Sequence, residues 1–120
     1  MLTVNKVILI GHVAADPEVR ETKTGKLVAN FPLATNRGDH NGETTTDYHK
    51  VVAWGRQAQI CRDHISKGVA LYIEGRLANR TYELPDKTKR FLTEIVLEKI
   101  NLLTTKKGQA TLAQVEEDEK

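Results

Sequence analysis

Cysteine, tryptophan and methionine occur once each in the 120 residues, and proline three times. The lone cysteine, Cys61, excludes an intramolecular disulfide framework and fits a reducing compartment. No stretch approaches the roughly 18 consecutive apolar residues of a membrane-spanning helix. The first residues hold no basic region followed by an apolar core, and no Arg-rich, acid-poor stretch. Neither a secretory signal nor a transit peptide is therefore expected, and a cytoplasmic protein is the default. The acidic residues that a metal-dependent phosphodiesterase would converge, among them Asp16, Asp39, Asp47 and Glu74, lie in separate segments. Cys61 and His64 offer two zinc ligands on one helix where a structural site wants four, and no second pair appears. No metal, no cofactor and no catalysis are expected.

Net charge is nearly lacking too, at +2, but it is unevenly spread. Residues 109–120 carry Glu116, Glu117, Asp118 and Glu119 against Lys120, a net of −3, which leaves 17 basic and 12 acidic residues before them, a net of +5. A basic body with an acidic tip suits a polyanion-binding module, and equally a solvated surface with a polar tail.

What the chain does have is a series of short β-type runs between turn signals. The first spans Val4 to Ala14, apolar on both faces at Val7, Ile8, Leu9 and Ile10, with Gly11 inside it as a bulge or bend. The second, Leu27 to Thr35, sets Ala29, Phe31 and Leu33 against Val28, Asn30 and Pro32; Pro32 cannot donate to a ladder and marks an edge or bulge. Residues 36–46 read as an exposed hairpin loop. The third run, Asp47 to Gly55, puts Tyr48, Lys50, Val52 and Trp54 on one face and His49, Val51 and Ala53 on the other. Gln57 to Lys67 reads as a helix with Ala58, Cys61 and Ile65 on one side and Gly68 as its stop. Runs over Val69 to Tyr82 and Phe91 to Thr105 follow, joined by a turn at Pro85-Asp86-Lys87. The expected order is β-β-β-α-β-β. That is an all-β, five-stranded OB-fold barrel, the oligonucleotide/oligosaccharide-binding barrel, with one helix between strands three and four. The domain is expected over residues 1–105, with 106–120 as a flexible acidic tail without the composition of a core.

Several segments resemble the bacterial single-stranded DNA-binding protein family. Val4-Asn5-Lys6-Val7-Ile8-Leu9-Ile10-Gly11 is similar to its opening strand, Asp16-Pro17-Glu18-Val19-Arg20 to the turn that follows, and Phe31-Pro32-Leu33-Ala34-Thr35-Asn36 to its second strand. Asp47-Tyr48-His49-Lys50-Val51-Val52-Ala53-Trp54-Gly55, Leu71-Tyr72-Ile73-Glu74-Gly75-Arg76-Leu77 and Thr93-Glu94-Ile95-Val96 are similar to the rest, in the family's order over residues 4–104. The resemblance implies a homotetramer that coats single-stranded DNA at the nucleoid in replication, recombination and repair. A dimer is the second choice, as in a related small barrel that serves replication restart.

Such binding needs aromatic faces on which bases stack and a basic groove along the phosphates. The resemblance puts Trp54, Tyr48 and Tyr82 at stacking positions. Arg37, Lys50, Arg56, Arg76, Arg80, Lys87, Lys89 and Arg90 flank them as candidate phosphate contacts. It puts His49 near the subunit interface, with Tyr72 as a second interface candidate. Phe31 and Phe91 read as barrel packing. The family's aromatic after Leu-Ala-Thr is missing, since that stretch reads Asn36-Arg37-Gly38-Asp39-His40. The family's tail ends in a hydrophobic pair with Pro and Phe. Here only acidic residues stand at that place, so weak recruitment of replication and repair proteins is expected.

Overall fold

The computed structural model describes residues 1–104. The acidic tail expected over 106–120 lies outside the described residues. Strands β1 (Val7–Val13), β2 (Glu18–Glu21), β3 (Leu27–Gly38) and β4 (Thr44–Trp54) precede helix α1 (Arg56–His64), and β5 (Ala70–Glu83) and β6 (Lys89–Leu102) follow it. β1 pairs with β3 and β5, β3 with β4, β4 with β6 and β6 with β5, so the ring closes as an OB-fold barrel. All of these pairings are antiparallel except β4 with β6, where Val51 and Val52 run alongside Ile95 and Val96.

The five-strand expectation holds once β1 and β2 are taken as one interrupted strand. Both run antiparallel to β3, β1 at His12↔Ala34 and β2 at Glu18↔Asn30, and the register shifts between them. Pro32 faces this break. Its carbonyl accepts from the Ala14 N–H at 2.9 Å, and the missing N–H would point to the same side, where no strand needs it. Asp16 holds the break in place, its Oδ1 accepting from the Lys67 N–H at 2.8 Å.

Period-2 alternation decides what is inside. Ala29, Phe31 and Leu33 of β3, Val51 and Ala53 of β4, Leu71 and Ile73 of β5, and Ile95, Leu97 and Ile100 of β6 are buried together. Ala58 and Cys61 of α1 and Ile65 just after it join that core, and the helix packs on β3, β4 and β6. Burial pushes the Cys61 thiol up to about 12, so no thiolate is available there at neutral pH.

Two segments differ from the sequence reading. The helix ends at His64 rather than Lys67, because Ile65 is extended and turns its side chain into the core. Residues 36–46 are not a loop: β3 and β4 stay paired out to Gly38↔Thr44, and only the turn around Gly42, with φ of 84°, remains. Polar side chains stitch that arm, Thr46 Oγ1 donating to Asn36 Oδ1 at 2.9 Å and Arg37 Nε to Asp47 Oδ2 at 2.9 Å.

Gly75 sits where the β5–β6 register jumps. A Cβ there would run into the Val96 carbonyl oxygen, fixed by the backbone, and the Ile95 side chain, packed in the core. Gly75→Ala is expected to lose about 1–3 kcal/mol of stability by overpacking. Gly38→Ala, with nothing closer to its added Cβ than Glu43 O at 3.9 Å, serves as the control in urea unfolding. Equal midpoints for the two variants would refute the close approach.

Candidate nucleic-acid interface

The alternation that buries Val51 and Ala53 turns Tyr48, Lys50 and Trp54 outward on β4. Their β3 partners on the same face are Ala34, Pro32 and Val28, too small to cover an aromatic ring. Tyr48 is accordingly 68% exposed and Trp54 about half exposed. Six residues of extended strand set the two rings about 20 Å apart.

β6 and β5 continue the face. Glu94 and Val96 of β6 lie beside β4, and Arg76, Ala78, Arg80 and Tyr82 of β5 pair with Val96, Glu94, Leu92 and Arg90. Tyr82 and Arg90 therefore share the side that carries Tyr48 and Trp54. Of the other expected cations, Arg56 opens α1 two residues after Trp54, and Lys87 occupies the β5–β6 turn with φ of 68°. The structure does not bring all eight to one face. Arg37 pairs with Thr45 and Lys89 with Glu83, both on the opposite side of their ladders, and Arg37 is bound to Asp47.

A twisted barrel that shows separated aromatic rings with cations between them can stack unpaired bases and meet their phosphates. A duplex keeps its bases stacked on each other and offers no such rings a partner. The comparisons with known proteins agree. The model of the Single-strand binding protein family matches residues 4–103. The chain belongs to that family. It is 46% identical over 108 residues to single-stranded DNA-binding protein 1 of Chlorobaculum tepidum, covering 85% of this chain and 66% of the relative. It is 41% identical over 101 residues to single-stranded DNA-binding protein 3 of Clostridium acetobutylicum, covering 82% and 70%. The chain thus spans about two thirds of these relatives' length. The solved structure of a Plasmodium falciparum SSB complex with ssDNA matches it with a TM-score of 0.77 at 29% identity, over 86% of this chain and 97% of the other.

Three features of this family member escaped the sequence reading. Phe91, read as barrel packing, is 83% exposed on the β5–β6 hairpin. It pairs with Thr81 on the side away from Tyr82, beyond the point where the barrel has a core to fill. Its place beside Arg90 in a hairpin that outruns the barrel was the available signal. Glu94, an acidic residue in a basic face, was noted only as part of a motif. Ile8 and Ile10, at 57% and 61% exposed, stand on the outward side of β1 opposite Glu74 and Tyr72 of β5. The apolar residues on both faces of that run were the available signal.

Of the two interface candidates, Tyr72 lies beside this apolar patch, its hydroxyl donating to Glu74 Oε2 at 2.6 Å, while Lys6 Nζ approaches Glu74 Oε1 at 2.8 Å. Lys6 and then Tyr72 hold the Glu74 carboxyl below the usual carboxylate range, and the bond to Glu74 raises the Tyr72 hydroxyl. His49 lies on the inward side of β4, where its Nε2 is 2.8 Å from Thr35 Oγ1. The structure places the two on opposite sides of the sheet.

Proposed function

We propose that this chain binds single-stranded DNA with little sequence preference, without catalysis or cofactor, and coats strands exposed in cytoplasmic replication, recombination and repair. The observation that carries the proposal is the outward face itself: Tyr48, Trp54 and Tyr82 stand open with Lys50, Arg76, Arg80 and Arg90 among them. Membership of the family, and the DNA named with its Plasmodium structural neighbour, support it. Arg56 and Lys87 extend the basic track at its ends, and Arg37 and Lys89 meet DNA only if the strand wraps around the hairpin arms.

Trp54, the single tryptophan, reports on the site directly. Oligo-dT is expected to quench its fluorescence strongly at moderate salt, and a duplex of equal length is not. Equal affinity for both would sink the reading.

The chain also works as a homo-oligomer in this proposal, a tetramer before a dimer. β1 is bonded to β5 from Val7 to His12 but to β3 only at His12 and Val13. Among the described residues no strand pairs with the other edge of Val7–Gly11, and Ile8 and Ile10 project from the outward face beside it. An open edge beside an apolar patch is a surface that soluble proteins cover.

A further inference from the structure

Glu94 is a carboxylate sunk in a face otherwise built for phosphate. The residue is only 9% exposed. From β4, Lys50 Nζ comes within 3.5 Å of its Oε2. From β5, Arg80 Nε comes within 2.9 Å of its Oε1. Each carboxylate oxygen is thus matched to one cation from each neighbouring strand. Both cations remain open outward, with side chains 38% and 57% exposed. Lys50 lies between Tyr48 and Trp54 on β4, and Arg80 precedes Tyr82 by two residues on β5. A backbone whose bases stack on those rings passes over this pair. Arg56, Arg76 and Arg90 form no ion pair among the described residues, so the neutralisation falls on the two central cations.

We propose that Glu94 is a built-in counter-anion of the DNA site, a positioning residue that holds Lys50 and Arg80 for phosphate and lowers the charge they present to it. This rests on the single-strand reading above. Two bare cations carry +2 and hold phosphate at the expense of solution anions and DNA counterions, so their contribution fades as salt rises. With Glu94 between them the group carries +1. The carboxylate is bound to the fold, and salt cannot dilute it. Part of the electrostatic attraction is thereby exchanged for fixed geometry. The strand is held less tightly at low salt and keeps more of its binding at high salt, where stacking dominates. Glu94 also orients the guanidinium and the ammonium across β4, β6 and β5 before DNA arrives, which reduces the side-chain ordering left to the binding step.

The test is a salt series of oligo-dT titrations read by Trp54 fluorescence, on the full chain and its variants, with urea midpoints alongside. Glu94→Gln keeps the shape and removes the charge. It is expected to bind about threefold tighter at about 0.05 M salt and to steepen the slope of log K against log salt by about 0.7, with the two curves meeting at high salt. The double variant Lys50→Gln, Glu94→Gln restores the net charge and should return the slope to that of the parent. So should Glu94→Asp, which keeps the charge on a shorter stem. A strut with no electrostatic role would lower the urea midpoint in Glu94→Gln and leave the slope unchanged. That slope, or weaker binding at every salt concentration, overturns the proposal. If Glu94→Gln fails to fold, the slopes of Glu94→Asp and the double variant decide. Parent-like slopes in both support the counter-anion, and a departure in either removes it. A parent protein that ignores oligo-dT removes the single-strand reading itself. One that binds while Glu94→Gln leaves the slope unchanged removes only the role given to Glu94.

Discussion

Replacing Trp54 with alanine is expected to weaken oligo-dT binding about 5- to 150-fold, the equivalent of about 1–3 kcal/mol for one stacked base. The ring stands on the last residue of β4, half open, against Val28 on β3 and next to the chain reversal at Gly55. The ring stands outside the core that Val51, Ala53 and Phe31 fill, but about half of it is covered and Val28 beside it is buried. A modest fall in the urea midpoint should therefore accompany the loss of DNA affinity. Stacking releases no counterions, so the slope of log K against log salt should stay where it was. Tyr48→Ala should behave alike with a smaller loss, because a phenol offers less area than an indole. The rings are about 20 Å apart along one strand, so the two losses should add. The contrast is Arg56→Ala, expected to flatten the salt slope by about 0.7 if it removes one phosphate contact. Since Trp54→Ala removes the fluorophore, affinities are compared by the anisotropy of a labelled oligo-dT. If Trp54→Ala and Arg56→Ala change the slope alike, the division between stacking and charge is wrong.

What could be read from the chain followed the length scale of the cause. Alternation with period two is local, and it put Tyr48, Lys50 and Trp54 on one face and Val51 and Ala53 on the other, as the structure does. The helix face of Ala58, Cys61 and Ile65 is local too, and it is buried. The helix end was misjudged because Lys67 and Gly68 are good stop signals. Nothing nearby in sequence shows that Ile65 is pulled into the core first. Pairings between distant segments were out of reach. The β4–β6 contact that brings Lys50 to Glu94 joins parallel strands separated by a helix and another strand, and no spacing rule announces it. The same limit hid β2, which looks like a turn until its pairing with β3 shows it continuing β1. Phe91 was misplaced for a different reason. An aromatic residue in a strand is normally packed, but β5 and β6 run past the barrel, and there is no core left for it.

Ile8→Asp combined with Ile10→Asp is expected to break the assembly at this face, leaving dimers from a tetramer or monomers from a dimer, and to cost far more DNA affinity than any single stacking residue. The wild-type patch puts two β-branched residues side by side on β1, each more than half exposed, beside the open edge of Val7–Gly11. In a homo-oligomer with a two-fold axis the same patch meets itself, so each substitution enters the interface twice. Two carboxylates per chain would then face two more across the axis, desolvated and without a cation to pair with. Lys6, on that rim, is already engaged by Glu74 and Glu98. In the separated subunit the Ile8→Asp carboxylate would stand exposed opposite Glu74, a like-charge pair that costs about 0.2–1 kcal/mol, so the urea midpoint should fall only slightly, and Trp54 should still be quenched by a short oligo-dT. Long strands are another matter. They engage several subunits at once, and linked sites gain about 10²- to 10⁴-fold in avidity over one alone. Loss of that factor for long oligo-dT, with short oligo-dT nearly unaffected, is the signature of a broken assembly and not of a damaged site. Light scattering gives the mass at micromolar concentration for both proteins. A wild type that is already monomeric, or a double variant that keeps the wild-type mass, would show that this face of β1 is not where subunits meet.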